Sequence, residues 1–298
     1  MQLKQNSNFL AIISCLLWAT AFAGIKIGLE YTSPFRFAGF RFMIAGFLIL
    51  PFVKNPLKEL AVIRLKWGKL LLISLFQTFG LYLLFYLGIS RSPASVTAVV
   101  VGAGPLVIAI LAHFAGINET FGWKKGIAIL VGFTGIVIIA LSKNKGADER
   151  AVSILGLIIL ITSNISGGIG NILITKFKLP GSPLLKNAIQ LFLGGLGLFI
   201  VSLFVEPQKF MLKPTPYYIS LGWLSFISAA AFSLWFIVLQ RDNVKVSEIN
   251  VWKFIIPVVG ASLSWLLIAN DQPNFNYLIG ALFVGTSLIM MNINKDKN

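Results

Sequence analysis

Three basic residues sit inside long apolar runs of this 298-residue chain: Lys26, Arg41 and Lys253. An unpaired Lys or Arg at the centre of a bilayer costs about 2.5–3.5 kcal/mol on insertion scales, so a cation kept there needs a task or a route to the interface. Arg41 is placed to anchor a substrate carboxylate, or to tie helix-end carbonyls or a nearby acid such as Glu30. Lys26 lies close enough to a segment end to snorkel. Lys253 lies one turn before Pro257, where a cavity-facing role competes with snorkelling. Uncharged polar and aromatic residues at similar depth complete the candidate substrate-binding set: Trp18, Gln77, Tyr82, Asn164, Trp235 and Trp252. Buried amides need partners, which a neighbouring helix or a ligand can supply. Pro105 and Pro257 each delete a backbone hydrogen bond in mid-segment and leave a carbonyl free, a device that either lines a cavity or only kinks a helix. Asp and Glu are absent from segment centres, with Glu30, Glu119, Glu248 and Asp271 all at ends, so no carboxylate relay for protons is evident.

The elements that must position these residues follow from hydropathy. Ten apolar segments are read at 9–29, 35–53, 69–89, 93–114, 121–141, 152–175, 183–205, 217–239, 246–269 and 277–293. Each is long enough to cross a hydrocarbon core of roughly 30 Å as a helix. None shows the alternation of a membrane strand. The triplet Ala21-Phe22-Ala23 imitates a signal-peptide cleavage site, but hydrophobicity continues to Leu29, and removing the segment would leave the first half one helix short.

The two halves echo each other. Ser95, Pro105 and Glu119 have counterparts in Ser247, Pro257 and Asp271, each pair separated by 152 positions, and Ser33-Pro34 answers to Ser182-Pro183 at an offset of 149. Lys253 breaks the pattern, since its counterpart is Val101. The polar linker 142–150 divides five segments from five, and an odd number forces the second half into the membrane in the opposite sense. Of the 25 Lys and Arg residues, fifteen fall on the side holding both termini, seven on the other and three within segments. That bias predicts both termini in the cytoplasm. The expected fold is an all-α integral membrane protein of ten helices, built as two inverted five-helix repeats, 1–145 and 150–298.

Composition agrees. The chain is 57% hydrophobic and 12% charged, about half the charged fraction of a soluble domain, with a mean hydropathy of +0.86. The formal charge of +15 is spread over short loops as topology signals, which argues against nucleic acid as a partner. Cys15 is the only cysteine, so no intrachain disulfide can form.

At the level of motifs the chain resembles the drug/metabolite transporter superfamily, specifically its EamA-type family. LLWATAFAGIKIGL at 16–29, Arg41 within AGFRFMIAGFLIL, Pro105 and Glu119 in the fourth segment, and Gly132 and Gly135 in the fifth carry the likeness; Pro257 and Gly280 repeat part of it. Two places depart from the family pattern: Asp271 within AND, where glycine-glutamate is usual, and SNISGGIGN in the sixth segment, where an alanine-tryptophan pair is usual. The resemblance implies ten helices around a mid-membrane cavity bounded by segments one, three, four, six, eight and nine. It further implies movement of small metabolites, often outward, across a bacterial inner membrane.

The resulting expectation is a monomeric carrier of small organic metabolites, with amino acids or related carboxylates favoured by the intramembrane cations, working by alternating access. No cofactor, metal or catalytic residue is expected. The alternative, an integral-membrane enzyme acting on lipid-linked substrates, would need clustered acids, a metal set or a nucleophile-base pair. The chain has one histidine, His113, and its only adjacent acids are Asp148-Glu149 in a loop. A channel would form its pore from oligomer symmetry or a filter loop, and none of the loops is long enough to re-enter.

Overall fold

The computed structural model describes residues 2–115, 123–140, 153–207, 212–242, 244, 246–268 and 275–293. Glu119, Asp271, the linker 142–150 and the side chains of Ser247 and Glu248 lie outside the described residues. Among those described the chain is helical without a strand. In the first half run α1 (Gln2–Ala19), α2 (Ala21–Leu29), α3 (Pro34–Ile49), α4 (Pro56–Ile63), α5 (Trp67–Ser74), α6 (Leu81–Ser90), α7 (Ala94–Gly102), α8 (Gly104–Phe114) and α9 (Trp123–Ala140). The second half holds α10 (Ile154–Phe177), α11 (Pro183–Val205), α12 (Thr215–Leu239), α13 (Val246–Asn250), α14 (Ile255–Leu267) and α15 (Phe275–Ile293).

Among the described residues, seven helical stretches are long and apolar enough to cross a membrane: Ser7–Leu29, Pro34–Phe52, Pro56–Ser90, Ala94–Leu111, Ile154–Phe177, Pro183–Val205 and Thr215–Leu239. Three shorter apolar helices, Gly126–Gly135, Ile255–Leu267 and Phe275–Ser287, fall where segments five, nine and ten are expected. The outward surface is apolar, with Phe47, Leu130, Ile158, Phe204, Ile219 and Leu282 exposed. Such a surface suits lipid and would be a liability in water.

Both Ser-Pro pairs start helices. Ser33 and Ser182 have extended backbone angles at the N-caps of α3 and α11, and Pro34 and Pro183 follow at the first helical turn, where a missing N–H costs nothing. These two helices pack along each other. A Cβ on Gly39 would strike the Phe199 backbone and one on Gly195 the Met43 nitrogen at 2.8 Å, so glycine is what allows the close approach. The same side-by-side packing joins α9 to α15 and α7 to α14, while α1 lies against α12 and α14, and α10 against α6 and α8.

Glu206, just past α11, caps the start of α3: its carboxylate accepts from the Phe35 N–H at 2.7 Å and the Arg36 N–H at 3.0 Å. Burial pushes its pKa up from the usual 4.5, and the two N–H groups and the Arg36 charge only partly oppose this. An acid whose pKa is raised on folding adds stability below its unfolded value and loses that contribution as pH rises through its folded value. The melting temperature of the purified protein minus that of a Glu206→Gln variant is therefore expected to decline as pH is raised from 4 upward. A difference that grows with pH would contradict this.

Candidate substrate-binding cavity

The two prolines act where expected, each with its own distortion. A proline ring clashes with the carbonyl four residues earlier and leaves it without a partner. Pro105 lies just after a break at Ala103 that separates α7 from α8, and Pro257 follows a 3₁₀ turn, Val251–Phe254, that separates α13 from α14. The residues four positions before each proline, Val101 and Lys253, both line one cavity, and so do Gly104 and Ile256 immediately before the prolines. The broken helices touch at their breaks, since a Cβ on Gly102 would enter the Pro257 ring. The break also leaves the Val100 carbonyl to accept from Asn164 Nδ2 at 2.8 Å.

The cavity encloses about 780 Å³ of atom-free space, mouth included. Two of its walls have identical spacing and opposite chemistry. From α1 and α2 come Trp18, Ala21, Phe22 and Ile25; from α10 come Asn164, Gly167, Gly168 and Asn171. Both follow the i, i+3, i+4, i+7 stripe of one helix face. The first wall is aromatic and aliphatic, the second offers amides and bare backbone. Tyr82 and Phe85 of α6 and Phe232 of α12 extend the aromatic wall, with the Trp18 and Phe232 rings 5.0 Å apart.

Two cations enter this space. The Lys253 ammonium lies 4.9 Å from the Trp235 ring centroid and 5.9 Å from that of Trp18, within cation–π range of both. Arg41 is 1% exposed. Its Nε donates to Ser228 Oγ at 2.8 Å and its Nη1 to Tyr86 Oη at 3.2 Å, and the guanidinium carbon lies 4.8 Å from the Phe42 ring centroid. Hydroxyls therefore hold this guanidinium, and the expected tie to Glu30 or to helix-end carbonyls is not what these contacts form. Among the described residues the cavity lining contains no Asp or Glu. Trp18 Nε1 is a buried donor without a hydrogen-bond partner among the described residues.

Gln77, also in the wall, sits in a π-helical turn, Leu75–Gly80, between α5 and α6. Such turns carry an extra residue per hydrogen-bonded ring and redirect the side chains around them. Bonds from outside hold this one: Ser74 Oγ donates to the Gln190 carbonyl at 2.9 Å, Thr78 Oγ1 to Gln190 Oε1, and Ser166 Oγ to the Phe76 carbonyl at 2.8 Å.

The sequence-derived residues thus separate into three places. Trp18, Arg41, Gln77, Tyr82, Asn164 and Lys253 line the cavity, with Arg41 adding the second segment to the helices expected around it. Trp235 stands behind the lining, 1% exposed, where its indole N–H donates to Asn171 Oδ1 at 3.4 Å and its ring supports Lys253. Trp252 is the departure: it does not line the cavity, and its indole donates to Asn8 Oδ1 at 3.2 Å. Adjacent residues of a 3₁₀ turn point roughly 120° apart, so residue 252 need not share the direction of Lys253. Phe22, Phe85, Phe232 and Asn171 line the cavity without having been singled out by polarity or charge.

The profile of the EamA-like transporter family matches residues 5–141 and again 154–293. The uncharacterized transporter YvbV of Bacillus subtilis is 24% identical over 97% of this chain and 92% of its own length. The uncharacterized inner membrane transporter YedA of Escherichia coli K12 is 24% identical over 83% of this chain and 78% of its own length. One protein of known crystal structure superposes with a TM-score of 0.72 at 16% identity, covering 97% of each chain, which establishes a shared fold. With the family profile covering both halves of a many-helix, lipid-suited chain, this protein belongs to the EamA-like transporter family and is a multi-pass membrane transporter.

Proposed function

We propose that the chain is a monomeric carrier of small organic carboxylates, amino acids and related acids among them, acting as an exporter or facilitator in the inner membrane. The observation that carries this reading is the pairing of Arg41 and Lys253 on one cavity whose lining, among the described residues, has no acid. Two positive charges in a poorly solvated space gain most from an anionic ligand. A carboxylate can take hydrogen bonds from the Lys253 ammonium and from the Arg41 Nη2, which has no partner among the described residues. The Trp18 N–H supplies a further unused donor.

The same reading takes ten spans as two inverted repeats, 1–145 and 150–298, with both termini cytoplasmic. The packing supports an exchange of halves. Replacing each helix by its counterpart turns the α1–α12 contact into α10–α6, the α1–α14 contact into α10–α8 and the α7–α14 contact into α13–α8, and returns α3–α11 and α9–α15 to themselves. A carrier built this way rocks one half against the other about the central site and opens it to one face at a time. The proline breaks lie where the halves meet at the cavity, which suits them to absorb that motion.

Counterflow in vesicles reconstituted with the purified protein tests this. Preloaded vesicles are expected to accumulate a labelled amino acid or organic acid from a panel, and to do so with the pH gradient collapsed, because the described residues of the cavity lining offer no acid to carry a proton. Accumulation that strictly requires the gradient would overturn passive or exchange transport. Uptake of cations and neutral solutes but of no carboxylate would overturn the substrate class.

A further inference from the structure

The wall chemistry discriminates among carboxylates. We propose that the preferred substrate is a monoanion: a carboxylate on a bulky apolar body whose second polar group is an uncharged hydroxyl or amide, in place of the free ammonium of an amino acid. This rests on the carboxylate reading above and narrows it.

A zwitterion brings one negative and one positive charge into the cavity. The negative charge has Arg41 and Lys253 to meet. The positive charge meets no acidic residue among the described residues of the lining, and the same two cations repel it. Both cations are already stacked on aromatic faces, Lys253 on Trp235 and Trp18, Arg41 on Phe42 and Tyr82. The ring surfaces able to attract a cation are thus shared with resident ones. Away from bulk water such repulsion is weakly screened, and an ammonium would give up its hydration with little return.

An uncharged donor faces no such penalty, and an acceptor awaits it. Asn164 Nδ2 is committed to the Val100 carbonyl, whereas Asn164 Oδ1 makes no hydrogen bond among the described residues. It can accept from an O–H or an amide N–H. The same cavity carries the aromatic wall, formed by Trp18, Phe22, Phe85 and Phe232. A ligand with an apolar body, a carboxylate and one neutral donor matches all three features together: rings, cations and amide oxygen.

The test is intrinsic tryptophan fluorescence of the full-length protein in nanodiscs, read with matched probes. Phenylalanine and 3-phenyllactate differ only in carrying an ammonium or a hydroxyl. The expected result is that 3-phenyllactate binds at least about tenfold more tightly than phenylalanine, and at least about tenfold more tightly than lactate, which lacks the ring. N-acetylphenylalanine should bind in the range of 3-phenyllactate, and its carboxamide analogue should not bind. Phenylalanine binding as tightly as 3-phenyllactate would overturn the monoanion proposal and leave the carboxylate reading intact. Lactate binding as tightly as 3-phenyllactate would overturn the apolar body. Equal binding of N-acetylphenylalanine and its carboxamide would overturn the carboxylate reading itself, and the two levels are thereby told apart.

Discussion

A Lys253→Met variant is expected to accumulate in the membrane at normal levels and to bind an anionic substrate at least about tenfold more weakly, the equivalent of about 1.4 kcal/mol. Methionine keeps much of the stem's length and bulk, so packing against Trp18 and Trp235 survives. Deleting a charge from the membrane interior makes insertion easier, not harder. What is lost is an ammonium at the cavity wall, held over the Trp235 and Trp18 rings and placed by the 3₁₀ turn before Pro257. Its counterpart in the first half is Val101, which lines the same cavity without a charge. The shared scaffold therefore does not require a cation at this site, and a loss confined to binding is the expected phenotype. The check is a pair of measurements on one preparation, membrane abundance and ligand affinity. Unchanged affinity would show that the lysine only fills space between two indoles.

Much of this arrangement can be read from the chain before any coordinates. Seven long helices and three shorter ones fall on the ten apolar runs, because lipid demands uninterrupted hydrophobicity over a fixed length. Depth and polarity bring Trp18, Gln77, Tyr82, Asn164 and Lys253 to the cavity wall. A polar group at mid-membrane is expensive unless it faces a partner or a cavity. The aromatic wall is harder to see. Phe22, Phe85 and Phe232 are apolar residues within apolar runs, so composition gives no contrast. Only helical periodicity reaches Phe22, at i+4 from Trp18, and links Asn171 to Asn164, at i+7. Trp235 and Trp252 show the limit of depth as a guide: it gives height in the membrane and not direction around the helix, and one indole supports the wall while the other turns to Asn8. The π turn at 75–80 has no local sequence cause, because hydrogen bonds to Gln190 and from Ser166, more than 80 positions away, hold it in place.

Arg41→Met is expected to lower substrate affinity by about a hundredfold, some 2.7 kcal/mol, the upper range for a charge-assisted hydrogen bond removed from a buried site. The larger effect than at Lys253 follows from the planar fork of a guanidinium, whose direction is fixed before the ligand arrives. Ser228 and Tyr86 hold Nε and Nη1, and stacking on Phe42 limits tilt, so the plane that carries Nη2 is fixed. Ser228→Ala and Tyr86→Phe, which loosen that plane without removing the charge, should each cost about tenfold or less. If Arg41 were only a structural tie, the methionine variant would lose thermal stability and membrane abundance in step with transport, and both hydroxyl deletions would reproduce that loss. The double variant Arg41→Met/Lys253→Met separates the remaining possibilities. Two cations that grip one carboxylate are coupled, so the double loss should depart from the sum of the single losses by more than about 0.5 kcal/mol. Strict additivity would place the two cations on different parts of the ligand, with Lys253 reading a second acceptor and Arg41 alone holding the carboxylate.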